Sequence, residues 1–197
     1  MRLSTFAVSA CLLVTVASQG IVYNSWICTH FSIGATTPTD IKNKYKTMIA
    51  NLNKDTTLKA QKARATTFLN NNWKKIGTIF DKDVLSQTIS RSTGMIESRW
   101  KITTYLKGLL TKLKAKLAAA KFTEIKNLLW AKDKANANNA NYFYDEWKED
   151  MLAAIPAAAK KTEITKIVAD YENSNPEFET VKTSFLPGKG FSKCSLT

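Results

Sequence analysis

The chain is poor in the groups on which most enzymes depend. Its 197 residues include a single histidine, His30, so neither a His-based triad nor a histidine-rich metal site can be assembled. No Gly-rich phosphate loop, H-E-x-x-H pair or EF-hand loop is present. Glycine occurs seven times and proline four times, which leaves little turn material and no β-hairpin signature. Three cysteines are too few for a disulfide-dense scaffold. The densest acidic cluster, Asp145, Glu146, Glu149 and Asp150, shares its helical stretch with Lys148 and lies opposite Phe143 and Trp147. That spacing predicts a solvated helix face, not a buried carboxylate pair. We expect no catalytic residues, no metal and no cofactor.

Apolar runs are also short. Phe6 to Val16 follows Arg2 and precedes the small residues Ala17 and Ser18. This is the layout of a secretory signal peptide over residues 1–20, and the run is too short to cross a hydrocarbon core of ~30 Å. The expectation is a secreted, extracellular protein in four parts. These are the signal peptide 1–20, an irregular N-terminal arm 21–36, an all-α domain 37–187 and a C-terminal tail 188–197. Cys11 would leave with the signal, so Cys28 and Cys194 remain. In an oxidising compartment a single Cys28–Cys194 disulfide is the simplest outcome, with two free thiols or an intermolecular bridge as alternatives.

What is abundant is helix-forming sequence. Apolar residues recur at three- and four-residue intervals almost throughout, which predicts a single all-α domain of seven or eight helices. Thr37-Pro38-Thr39-Asp40 opens the first, with Thr37 placed to cap. Asp55 or Thr56 opens the second, and Asp81 or Asp83 caps a third element. Asn70-Asn71-Asn72 is expected to bend or divide the second helix, and Ser92-Thr93-Gly94 to interrupt the third element. Further starts are expected at Thr123 and Thr162, with breaks at Pro156 and at Asn173 to Pro176. The most regular stripe, within Met95 to Ala120, is Ile102, Leu106, Leu109, Leu110, Leu113 and Leu117.

The formal net charge is +13. No acidic residue lies between Ser98 and Thr123, where Lys107, Lys114 and Lys121 follow one another at sevens. With the leucine stripe this predicts either a core helix with a lysine-coated outer face or an amphipathic helix for an anionic membrane. Anionic lipid headgroups, sulfated glycans or a host receptor are the macromolecular partners such a surface fits, and nucleic acid is not expected outside the cell. Five tryptophans, four of them among helical stripes, raise a second prospect. Large rings packed between short helices can enclose an apolar cavity for a small hydrophobic ligand. Leu106, Leu109, Leu113, Trp130, Phe143 and Trp147 are the candidate lining, and Lys107 or Lys114 the candidate partner for a carboxylate headgroup.

Two stretches carry a resemblance. Asp40-Ile41-Lys42-Asn43-Lys44-Tyr45-Lys46 with Asn51-Leu52-Asn53-Lys54-Asp55 forms the first. Ile167-Val168-Ala169-Asp170-Tyr171-Glu172-Asn173, leading through Glu177-Phe178 to Phe185-Leu186-Pro187, forms the second. Both resemble segments of the nematode fatty-acid- and retinol-binding proteins. The resemblance implies an all-α fold around a lipid-holding interior and a role in sequestering or delivering fatty acids and retinoids. The terminal cysteine pair, the extra tryptophans and the leucine before Pro187 depart from that pattern.

Overall fold

The structure is a computed structural model describing residues 31–52, 54–76, 81–135 and 140–184, without the side chains of residues 130, 132–143 and 181–184. Among the described residues there are seven α-helices and no strand: α1 Thr39–Leu52, α2 Leu58–Ile76, α3 Lys82–Lys114, α4 Ala119–Ala135, α5 Ala140–Ala153, α6 Ala158–Asn173 and α7 Glu177–Ser184. The fold is all-α, as expected. The expected signal peptide, most of the expected N-terminal arm, His30, Cys28, Cys194 and the expected tail lie outside the described residues.

The helix starts follow local chemistry, with corrections. Pro38 begins α1 because its carbonyl accepts from the N–H groups of Ile41 and Lys42. Thr37 does not cap: its hydroxyl accepts from Gly34 N–H at 3.0 Å and closes the preceding turn. The Thr57 hydroxyl accepts from Ala60 N–H at 3.2 Å and serves as the N-terminal partner of α2. Asp81 caps α3 by accepting from Asp83 N–H at 2.7 Å. α4 and α6 start four residues earlier than Thr123 and Thr162 would place them, at Ala119 and Ala158.

Two expected breaks are absent. Asn70-Asn71-Asn72 does not divide α2: Asn72 is buried, and its amide donates to the Phe68 carbonyl one turn back at 2.7 Å. Ser92-Thr93-Gly94 does not interrupt α3, which runs unbroken for 33 residues. Ser92 and Ile96 are fully buried on its inner face, and Thr93 donates back to the Ile89 carbonyl at 2.8 Å. Packing and back-bonded hydroxyls therefore outweigh weak propensity here. α3 ends at Lys114, so Leu117 lies beyond it. Lys121 does not continue the line of Lys107 and Lys114 either: it sits on α4 and pairs with Glu124 at 2.7 Å.

α3 is about 50 Å long at the standard rise and organises the core. Its first half packs on α2, which packs on α1. Its second half meets α4, α6 and α7, while α5 closes on α4, α6 and α7. At the first end, Phe31, Tyr45 and Phe68 meet edge-on with centroids 5.4–6.0 Å apart, a geometry worth ~0.5–1.5 kcal/mol per pair beyond burial. The connection between α1 and α2 is tied by Arg64, whose Nε and Nη2 reach Asp55 at 2.6 and 2.8 Å. Buried Gln61 donates to the carbonyls of Leu52 and Asp55, satisfying groups that the end of α1 leaves open. No described helix is long and apolar enough to cross a membrane.

Candidate functional site

The second end of α3 carries the most elaborate group of described side chains, built from four helices. Tyr105 of α3, Tyr144 of α5 and Phe178 of α7 are all buried. Phe178 lies flat on Tyr105, with centroids 3.6 Å apart and ring planes 4° from parallel, and meets Tyr144 edge-on at 5.0 Å. Tyr171 of α6 leans on Tyr105 at 5.0 Å. Trp147 anchors the cluster from below, donating from its indole N–H to the Ile125 carbonyl at 3.0 Å.

A hydrogen-bonded chain runs through these rings. The Tyr144 hydroxyl donates to Glu172 Oε1 at 2.8 Å, and Lys148 Nζ donates to the same oxygen at 3.0 Å. A phenol has one proton, so the 3.1 Å approach of the Tyr105 and Tyr144 hydroxyls has Tyr105 as donor. The order is Tyr105 to Tyr144 to Glu172, with Lys148 completing the carboxylate and lying 5.6 Å above the Tyr144 ring. Burial pushes the Tyr105 phenol well above its ordinary value. Burial raises Tyr144 further still, aided by its bond to Tyr105 and the nearby Glu172. Both stay neutral and act as fixed dipoles joining α3, α5 and α6.

Tyr171 approaches through a gap that only glycine leaves. Its hydroxyl donates to the Tyr105 carbonyl at 3.1 Å, and a Cβ on Gly108 would occupy the space of that hydroxyl. Burial and the neighbouring Glu177 carboxylate both raise the Tyr171 phenol.

Above this base is a half-open groove of about 370 Å³, lined by Trp100, Lys101, Thr104, Tyr105, Tyr171, Asn175, Glu177 and Phe178. A second groove, of about 350 Å³, shares Tyr105, Asn175 and Phe178 and adds Lys148, Glu172 and Glu179. Both fall within the size range of small-molecule sites.

The sequence-predicted residues lie elsewhere. Leu106, Leu109, Leu113 and Trp147 are fully buried in the core, and none of them lines either groove. Lys107 and Lys114 are exposed on α3, away from both grooves. The side chains of Trp130 and Phe143 lie outside those described. Leu109 and Leu113 face inward, as the stripe requires, but inward here means packed. No single sequence period marks the groove residues, because they come from α3, α6, α7 and the Asn173 to Pro176 turn. The acidic cluster on α5 is outward, with Asp145 and Glu149 exposed opposite buried Tyr144, Trp147 and Met151. Among the described residues no three His, Cys, Asp or Glu side chains converge as metal ligands.

No protein-family model, curated protein or solved structure matches this chain.

Proposed function

We propose that this protein is a secreted, non-enzymatic carrier of small hydrophobic ligands of fatty-acid or retinoid type, and that the groove between α3, α6 and α7 holds them. The observation that carries this reading is the groove itself: about 370 Å³ walled by the rings of Trp100, Tyr105, Tyr171 and Phe178. Trp100 and Tyr171 are only partly covered, so apolar surface stands ready for a guest. Removing such surface from water yields ~0.8 kcal/mol per buried CH₂ of the ligand. The resemblance of Asp40 to Asp55 and of Ile167 to Pro187 to the nematode fatty-acid- and retinol-binding proteins points the same way. Tyr171, Glu177 and Phe178 of that second stretch are groove residues.

An environment-sensitive fluorescent fatty alcohol and its fatty-acid counterpart test the proposal. The expected result is saturable binding of the alcohol with a blue shift, weakened about tenfold by Trp100→Ala as one wall of the site is lost. Absence of saturable binding by either probe at micromolar protein, with helicity intact by circular dichroism, overturns it.

A second reading is favoured by a separate observation. Lys107, Lys112 and Lys114 are exposed on α3 and form no ion pair among the described residues. Such a face suits an effector or adhesin that engages anionic lipid headgroups, sulfated glycans or an acidic host receptor. The leucines beneath these lysines are buried, so attraction would be electrostatic and would not insert the helix into lipid.

A further inference from the structure

The polar groups of the groove specify a headgroup, and it is not the carboxylate that a lysine-rich sequence suggests. We infer that the groove selects apolar molecules bearing a protonated amine. This inference rests on the carrier reading for the apolar part of the ligand and assigns it an ammonium headgroup in place of the fatty-acid carboxylate.

Several polar groups of the lining already have partners. Lys101 is the cation on the lining, and its ammonium is held by Glu97 at 3.2 Å. Glu97 also accepts from Lys62 at 2.9 Å, and these two lysines hold its carboxyl below its ordinary value. The Tyr171 hydroxyl spends its proton on the Tyr105 carbonyl. Asn175 donates one of its two amide N–H bonds to the Tyr171 carbonyl at 2.8 Å, and its side-chain oxygen accepts from no group among the described residues. Glu177 lies on the lining, in the first turn of α7, and among the described residues has neither a side-chain hydrogen bond nor an ion pair. Donors and acceptors thus both remain on the lining, but the charge without a counter-ion among the described residues is the Glu177 carboxylate, with the Asn175 Oδ1 and the lone pairs of Tyr171 as further acceptors. The Thr104 hydroxyl can serve either way.

A ligand that offsets the Glu177 charge must be positive, and an N–H donor on it can also reach the neutral acceptors of the lining. A primary ammonium offers three donors and one charge. The partly exposed rings of Trp100 and Tyr171 supply the remaining complement, because aromatic faces attract cations. A carboxylate would meet Glu177 in a like-charge approach in a partly desolvated groove, with the Lys101 charge already engaged by Glu97. In the second groove Lys148 is likewise engaged, by Glu172.

Such a preference opposes the field of the whole molecule. A formal net charge of +13 draws anions and repels cations from the surface at large. Non-specific attraction therefore predicts the opposite order of affinities.

The test is calorimetric titration of the intact protein with dodecylammonium, dodecanol and dodecanoate, each below its critical micelle concentration, at neutral pH and physiological salt. The expected result is that dodecylammonium binds about tenfold tighter than dodecanoate, with the alcohol between, the worth of a single charge-assisted hydrogen bond. Glu177→Gln, an exposed position where folding is not at stake, is expected to remove that advantage, so that dodecylammonium and dodecanoate bind alike. Equal affinities, tightest binding by dodecanoate, or an ammonium preference that persists in Glu177→Gln would each overturn the inference and leave the carrier reading standing. Binding of none of the three would remove the carrier reading and this inference with it.

Discussion

Gly108 and Tyr171 lie far apart in the chain, yet each dictates the other. The Tyr171 hydroxyl reaches the Tyr105 carbonyl only because residue 108 has no side chain. Gly108→Ala is therefore expected to destabilise the protein by ~2 kcal/mol through overpacking, despite the better helix propensity of alanine. Thermal denaturation by circular dichroism would show this as a lowered Tm. In a Tyr171→Phe background the same substitution should cost clearly less, since the clashing oxygen is gone; an equal cost in both backgrounds would refute the pairing. Little of this could be read in the sequence. Tyr171 is visible as a member of an inward stripe, but a stripe says which side of a helix is covered and not by what. Tyr105, Tyr144 and Phe178 come from three different helices, and neither their stacking nor the proton order through Glu172 leaves a local trace. Leu106, Leu109 and Leu113 were legible as buried. Whether buried side chains border a hollow or fill it depends on residues far away in the chain.

Among the elements, α3 shows most plainly where local rules succeed and where they yield. Asp81 marks its start, as the sequence suggests. Its middle defies the Ser92-Thr93-Gly94 signal, because Ser92 and Ile96 are fully buried in a helix that packs on α2. Gly94 has open space where a Cβ would stand, so nothing in the packing demands glycine there. Gly94→Ala is expected to stabilise the protein by about 0.5–1 kcal/mol by restricting the unfolded chain. Urea denaturation should show a higher midpoint with an unchanged slope. A lowered midpoint would mean that the helix must flex at this position. Pro156 and Asn173 to Pro176 do end helices, as proline and asparagine dictate, and the second of these turns contributes Asn175 to the groove.

For the molecule as a whole, charge is divided between outside and groove. Lys107, Lys112 and Lys114 stand unpaired among the described residues on the outer face of α3, whereas the uncommitted charge within the groove is negative. Reversing all three lysines to glutamate inverts the sign of that face. This should abolish retention on heparin or on anionic vesicles at low salt, while uptake of a neutral fatty alcohol stays as in the parent. Unchanged retention would show that the lysine face only keeps the protein dissolved. Net charge was legible from composition, but its partition was not, because it depends on which lysines find carboxylates in space.

The substantial packing between the α1–α2 pair and the α4–α7 group runs through α3. The buried side chains from Phe31 to Phe178 form one continuous cluster, so both ends of the molecule are expected to melt together: Gly108→Ala should lower the unfolding midpoint reported at the Phe68 end by as much as at its own.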